Sequence, residues 1–75
     1  MNFSFDKMAN VLYIRFSSEK ISNSDEIAEG IKIDYGKNDN IVGVEVLNYT
    51  ERKLNLNDLV HMNIEELIPR LAQCQ

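Results

Sequence analysis

The sequence predicts an α+β fold, in which an antiparallel, hairpin-built sheet of about four strands has one face covered by a C-terminal helix. Apolar and polar residues alternate through the first two-thirds of the chain, which is the period of a half-buried strand. In the final third the apolar residues recur at helical spacing. We therefore expect a single domain over residues 1–75, with a β-rich region at 1–50 and a helical segment at 51–75.

The first two strands are predicted on either side of a short polar connection. Phe3 and Phe5 alternate with polar neighbours, and residues 11–16 place three large apolar side chains on one face. The intervening residues 7–10 are few enough for a hairpin connection. These two strands are therefore expected to be adjacent and antiparallel.

A third strand is expected over residues 27–35. It follows two polar stretches, residues 17–20 and 22–25, whose side chains favour turns. Gly30 interrupts the apolar pattern of the strand, and a glycine inside a strand often marks a β-bulge. We therefore predict a bulge at Gly30.

The clearest turn in the sequence lies at residues 36–40, because glycine, asparagine and aspartate cluster there between two β-branched runs. Residues 41–47 follow as the fourth strand, so residues 31–47 are expected to form a hairpin. The two faces of that fourth strand would carry Val42, Val44 and Val46 on one side and Ile41, Gly43, Glu45 and Leu47 on the other.

Seven apolar residues at helical spacing predict the C-terminal helix: Leu56, Leu59, Val60, Ile64, Leu67, Ile68 and Leu71. Asn57 is the expected N-cap. Pro69 weakens the later part, since a proline inside a helix removes a backbone hydrogen bond. The alternative ends the helix near His61 and forms a fifth strand at residues 62–68, with Pro69 just beyond it.

The composition is that of a folded chain and argues against several classes of protein. An apolar content of 44% with three glycines and one proline does not fit a disordered chain. No stretch approaches the roughly 18 apolar residues that a membrane-spanning helix requires. The first residues lack the basic and apolar regions of a secretory signal. The single cysteine, Cys74, cannot form a disulfide within the chain, so we expect a cytoplasmic protein.

The charge balance argues against nucleic acid as a partner. The chain has 8 basic and 12 acidic residues and a formal net charge of −4, whereas nucleic-acid binding requires a basic stripe. The largest basic cluster is Arg52-Lys53, beside Glu51, which we interpret as a solvated turn. Nucleic-acid binding would instead require a local basic patch formed by Arg52 and Lys53 together with Lys32 and Arg70. We expect neither a nucleic-acid nor a membrane partner.

Three segments carry a resemblance to a known family, and they are residues 5–16, 26–35 and 40–47. Their most specific parts are Leu-Tyr-Ile-Arg in the first and Val-Gly-Val-Glu-Val-Leu in the last. Over residues 3–50 the chain resembles the small prokaryotic proteins of domain of unknown function 2283. Asn10 stands where that family usually has an acidic residue. The resemblance implies a compact sheet with a C-terminal helical segment and no established activity.

Asp34 and Glu45 are the candidate carboxylate pair for metal binding or catalysis. They flank the turn at residues 36–40, so we expect both on the outer face of the hairpin and close together. Two adjacent carboxylates bind a hard cation or share a proton. The other interpretation is that they belong to the solvated face of a one-sided sheet. His61 is the only histidine, which excludes a multi-histidine metal site within one chain.

The favoured hypothesis for function is a non-enzymatic interaction module, acting as a homo-oligomer such as a homodimer or as the small acidic partner of another protein. One helix covers only one face of the sheet, so the other face is expected to present apolar side chains to a partner. The residues expected at that interface are Val11, Tyr13, Ile41 and Leu47. No cofactor is expected. The alternative is a metal-binding or catalytic protein that uses Asp34 and Glu45.

Overall fold

The computed structural model describes residues 1–73. The fold is a five-stranded antiparallel sheet with two helices against one face. The elements are β1 (Asn2–Asp6), β2 (Val11–Arg15), β3 (Asn23–Ala28), β4 (Ile31–Tyr35), β5 (Ile41–Leu47), α1 (Leu56–Leu59) and α2 (Ile64–Gln73). Their order across the sheet is β1-β2-β5-β4-β3, so β5 is central and β1 and β3 are the edges. The predicted α+β class is confirmed. Cys74, the single cysteine on which the cytoplasmic expectation partly rests, lies outside the described residues.

The core lies between the sheet and the two helices. Alternate residues of β2, β4 and β5 point towards the helices, and Ile14 and Val44 among them are completely buried. Leu59, Leu67 and Leu71 close the core from the helical side. Each such side chain contributes about 1.5–3 kcal/mol on burial. The apolar residues of the strands and those of the helices therefore bury one another and stabilise the fold. No helix within residues 1–73 is long and apolar enough to span a membrane.

The third predicted strand is two strands, because the chain reverses at Gly30. Ala28 pairs with Ile31 across a tight turn in which Gly30 has a φ of 76°. The predicted bulge at Gly30 is therefore wrong, and the register shift lies between Glu26 and Ala28 instead. The polar residues 22–25, expected as a turn, lie mostly in β3. An edge strand exposes its side chains and so carries charged and polar residues without an apolar pattern.

Both predicted hairpins are confirmed. β1 pairs with β2, and β4 pairs with β5, each in antiparallel orientation. In the turn at residues 36–40, Gly36 N donates to Asn40 O over 2.7 Å. Asn38 and Asp39 have φ values of 62° and 60°, a region that asparagine and aspartate occupy more readily than most residues.

An irregularity in the β4–β5 pairing changes the face on which Ile41 lies. Asp34 pairs with Gly43, whereas the next residue, Tyr35, pairs with Ile41, so Val42 is an extra residue in β5. Ile41 consequently packs against the core, on the same side as Tyr35, which lies there through the regular alternation of β4. A β-bulge shifts the alternation of side chains along the strand. The expectation that Ile41 lies on the outer face is therefore wrong.

The C-terminal segment forms two helices instead of one continuous helix. Asn55 caps α1 by accepting a hydrogen bond from Asn57 N over 2.9 Å, so the cap lies two residues before the predicted one. The Asn63 side chain accepts from Glu66 N over 2.9 Å, and the Glu66 carboxylate accepts from Asn63 N over 3.4 Å. This reciprocal capping box starts a new helix at Ile64.

The alternative of a short helix followed by a fifth strand is right in part. α1 is short and the sheet has five strands, but the fifth strand is β3. Residues 64–68 are helical, so no strand forms at residues 62–68. Pro69 lies inside α2 and is exposed. Because proline has no N–H, Pro69 leaves the backbone carbonyl of Glu65 without its helical hydrogen-bond donor. Glu65 is an exposed residue.

Candidate functional site

A row of hydrogen-bonded side chains crosses the outer face of the sheet, which is the face opposite the helices. The Tyr13 hydroxyl donates to Asp34 Oδ2 over 3.0 Å, and the Ser24 hydroxyl donates to Asp34 Oδ1 over 2.5 Å. Asp34 on β4 lies directly opposite Ser24 on β3, whereas Tyr13 on β2 reaches across β5. We call Tyr13, Asp34 and Ser24 the outer-face array.

Gly43 of β5 leaves the path along which Tyr13 reaches Asp34. A Cβ atom at residue 43 would lie 2.7 Å from Tyr13 Cζ, closer than real contacts of this kind. Any side chain at residue 43 would displace the ring. Sequence reasoning missed this role, although a glycine within a run of β-branched residues is a signal of close approach by another group.

Asp34 is only 4% exposed, and both of its carboxylate oxygens accept a hydrogen bond from this chain. Such bonds replace the water that burial removes. Burial raises the pKa of Tyr13, and the hydrogen bond to Asp34 and the charge of Asp34 raise it further. The phenol therefore remains a protonated donor, and the array is suited to holding β2, β3 and β4 together.

Asp34 and Glu45 lie on the same outer face, as diagonal neighbours on β4 and β5. Asp34 is opposite Gly43, and Glu45 is opposite Lys32. Diagonal neighbours on antiparallel strands are about 7–8 Å apart. Within residues 1–73, no group of three or more His, Cys, Asp or Glu side chains converges to hold a metal ion. Asp34 accepts hydrogen bonds from residues of β2 and β3, and Glu45 lies opposite Lys32 of β4. These contacts favour a role for both carboxylates in holding the strands together.

Three of the four residues expected at an interface lie on the outer face. Val11 and Leu47 are directly opposite each other and half-buried. Tyr13 lies opposite Glu45 and belongs to the outer-face array. Ile41 packs against the core. Of the four predicted interface residues, Val11 and Leu47 are therefore the two that lie on the outer face outside the array, and both are half-buried.

Arg52 connects the turn between β3 and β4 to the end of β5. Its Nε donates to Leu47 O over 2.7 Å, and its Nη2 donates to Glu29 O over 2.8 Å. Arg52 is half-buried, whereas Lys53 is exposed. The interpretation of this pair as a solvated turn is therefore wrong for Arg52, because its guanidinium replaces water at two backbone carbonyls.

The two edges of the sheet differ in what they present to another chain. β3 carries Asp25 and Glu26, and its pairing shifts register between Glu26 and Ala28. Charges and bulges are features that prevent an edge strand from pairing with a further strand. β1 pairs with β2 without a register shift and carries no charged side chain from Asn2 to Phe5. We call β1 the open edge.

Phe3 and Phe5 direct their backbone N–H and C=O groups outward from the open edge. Phe16 N, just after β2, donates to Val42 O over 2.8 Å, so alternate residues of β2 bond to β5 and the others bond to β1. The pairs that bond between β2 and β1 are therefore Val11 with Asp6, Tyr13 with Ser4, and Arg15 with Asn2. The backbone groups of Phe3 and Phe5 consequently point away from β2.

The side chains of Phe3 and Phe5 both lie on the helix-facing side of the sheet, opposite Ile14 and Leu12. Phe3 packs against the core, whereas Phe5 is 45% exposed. The Phe5 ring meets the Tyr49 ring edge to face, with 5.8 Å between the centroids. The open edge therefore offers an aromatic side chain as well as backbone groups.

Comparisons with known proteins place the chain in a family without an assigned activity. No curated protein and no solved structure matches the chain significantly. A family model described as "Protein of unknown function (DUF2283)" matches residues 2–49, from the start of β1 to just past β5. The match covers the whole sheet and more than half of the chain. The chain therefore belongs to the DUF2283 family of proteins of unknown function.

Proposed function

We propose that the protein is a non-enzymatic interaction module that acts as a homo-oligomer, with the open edge as the contact between copies. The contrast between the two sheet edges carries this proposal. A regular strand with outward backbone groups pairs readily with another strand. The charged and bulged β3 has the features that block such pairing, and β1 lacks them between Asn2 and Phe5.

Exposed apolar side chains near β1 support the same surface. Phe5 is 45% exposed, Met1 just before the strand is 52% exposed, and Met8 just after it is 98% exposed. Burying a side chain of this kind contributes about 1.5–3 kcal/mol. A second chain on this edge would therefore gain apolar contacts in addition to backbone hydrogen bonds.

The non-enzymatic part of the proposal is supported by the state of Asp34. Its two oxygens accept hydrogen bonds from Tyr13 and Ser24, which hold the carboxylate against the outer face of the sheet. A carboxylate that binds a cation or transfers a proton needs an oxygen directed at the ligand. The outer-face array instead uses Asp34 to join strands.

A second copy of the chain fits this edge better than a basic partner protein. The net charge of −4 favours a basic partner but does not direct it to this edge. At the open edge itself, Asp6 is followed by Lys7, so the local charges balance. The single Cys74 supports a reducing compartment, and with it the cytoplasm, as the place where the module acts.

Sedimentation velocity over micromolar to submillimolar concentrations tests the proposal. The wild-type chain should show a concentration-dependent dimer. Phe5→Pro removes an N–H that points away from β2, and a proline is tolerated at such an edge position. Because a symmetric dimer loses two hydrogen bonds, its dissociation constant should rise about tenfold or more beyond that of the control.

Phe5→Ala is the matched control, since it removes the same ring and keeps the N–H group. Far-UV circular dichroism of both variants verifies that the sheet is intact. A wild-type chain that is monomeric at every concentration would overturn the proposal. A Phe5→Pro dimer as tight as the Phe5→Ala dimer would show that the open edge is not the contact.

A further inference from the structure

We infer that two copies pair β1 against β1 in antiparallel orientation with Ser4 on the two-fold axis, an inference that rests on the proposed function. Residues i and 8 − i would then face each other, so Phe3 of each copy lies opposite Phe5 of the other. The two five-stranded sheets would become one continuous sheet of ten strands. The contact is self-complementary, as a two-fold interface requires.

The outward backbone groups select this register. In an antiparallel ladder, two residues that both point their N–H and C=O groups at the partner exchange a pair of hydrogen bonds. With Ser4 on the axis, Phe3 faces Phe5 of the second copy, and both residues point outward. A symmetric register centred between two residues would place an outward residue opposite an inward one and would lose these bonds.

Strand length separates this register from the two nearest symmetric ones. With Ser4 on the axis, all of Asn2–Asp6 pairs with itself, and Asn2 lies opposite Asp6 of the second copy. An axis at Phe3 would place Phe5 opposite Met1, which lies outside the strand. An axis at Phe5 would place Phe3 opposite Lys7, also outside it. Only the axis at Ser4 uses the full strand.

The aromatic side chains fit the same register. Phe3 and Phe5 share the helix-facing side of the sheet, so the pairing places the exposed Phe5 ring beside Phe3 of the other copy. Directly opposed aromatic pairs stabilise antiparallel sheets. The Phe5 ring would then have Tyr49 of its own chain on one side and Phe3 of the second copy on the other.

An apolar cleft beside the start of β1 also has a place in this arrangement. It has a volume of about 430 Å³ and is lined by Met1, Phe16, Asn63, Ile64 and Glu65. The register puts Lys7 of the second copy opposite Met1, so the turn that follows Lys7 would begin beside the cleft. That turn carries Met8, which is 98% exposed in a single chain. A flexible methionine adapts well to an irregular apolar cleft.

Cysteine cross-linking in a Cys74→Ser background tests the register. Ser4 would face its copy in a pair without hydrogen bonds, where Cα atoms are about 4.5 Å apart, within the range of about 4.4–6.8 Å that a disulfide spans. Ser4→Cys should therefore form a cross-linked dimer with oxidised glutathione. Asn2→Cys is the control, because its two copies would be about 14 Å apart. We expect the Ser4→Cys dimer to form at least tenfold faster.

The outcomes separate the register from the proposed function. A dimer in sedimentation that Ser4→Cys does not cross-link would overturn the register and leave the open edge as the contact. Faster cross-linking in a mixture of Asn2→Cys with Ser4→Cys than in Ser4→Cys alone would place the axis at Phe3. A chain that is monomeric at all concentrations would overturn both the register and the proposed function.

Discussion

The ring of Tyr13 lies over Gly43, so close that a Cβ atom at residue 43 would come within 2.7 Å of Tyr13 Cζ. There the ring crosses the central strand β5, and its hydroxyl donates a hydrogen bond to Asp34. β2 and β4 are therefore joined in two ways. Each bonds to β5 through its backbone, and the outer-face array links them directly above it.

Gly43→Ala should destabilise the protein by about 1–3 kcal/mol, because the added methyl group overpacks a filled space. The methyl group would meet the Tyr13 ring and would also lie 3.0 Å from the backbone oxygen of Ile14. Urea unfolding measures the loss. In a Tyr13→Ala background the cost of Gly43→Ala should fall. An unchanged cost in that background would assign the effect to Ile14 and not to the ring.

Tyr13→Phe should cost about 1–3 kcal/mol at neutral pH, since it removes a donor from a carboxylate that is 4% exposed. The ring itself is retained, so packing over Gly43 is unchanged. Thermal or urea unfolding provides the measurement. Tyr49→Phe is the control, because it removes a hydroxyl outside the array, and a loss within about 0.5 kcal/mol is expected. Equal losses in the two variants would contradict a stabilising role for the array.

The array also predicts how stability changes at alkaline pH. Burial and Asp34 raise the pKa of Tyr13 above its ordinary value of 10.0, so the folded chain holds the phenol proton more tightly than the unfolded chain. The stability from Tyr13 is then complete below pH 10.0 and is lost as the pH rises through the folded pKa. The difference in unfolding free energy between wild type and Tyr13→Phe should therefore shrink above that pH.

Ser24→Ala is the control for this pH dependence. It removes the other donor to Asp34 but keeps the Tyr13 phenol. The alkaline decline should therefore persist in Ser24→Ala and be weaker in Tyr13→Phe, when both are followed by urea unfolding at a series of pH values. A decline of equal size in Tyr13→Phe and wild type would show that Tyr13 does not cause it.

The strands that form the core could be predicted from the sequence, and the edge strand could not. Alternation marks β2 and the β4–β5 hairpin because one face of each is buried. In β3, residues 23–27 are all exposed, so burial imposes no pattern on them. The sequence also gives no sign of the bulge at Val42. That bulge depends on the pairing with β4 and not on a distinctive residue type.

The outer-face array shows the same limit at the level of the candidate site. The prediction that Asp34 lies on the outer face depends only on alternation along one strand. Its bonds with Tyr13 and Ser24 depend on the strand order, which places β5 between β2 and β4. Strand order is a property of distant contacts, and local periodicity does not encode it.

Arg52→Lys should destabilise the protein by about 1–3 kcal/mol. Two different nitrogens of the guanidinium donate to Leu47 O and Glu29 O. The single ammonium group of lysine does not reproduce this planar arrangement of two donors. The charge is unchanged, so the loss would report hydrogen-bond geometry. Urea unfolding at two salt concentrations checks this, because a geometric loss should vary little with ionic strength. A loss that disappears at high salt would contradict the assignment.

Two asparagines distinguish the observed helix boundaries from the predicted one. Asn63 caps α2 through Glu66, so Asn63→Ala should cost about 1 kcal/mol and lower helical content. Asn57, the cap expected from the sequence, donates its backbone N–H to the Asn55 side chain, and Asn57→Ala keeps that group. Asn57→Ala should therefore change stability by less than about 0.5 kcal/mol. Far-UV circular dichroism with urea unfolding measures both. A larger loss in Asn57→Ala than in Asn63→Ala would restore the single continuous helix, because only then would Asn57 hold a helix start.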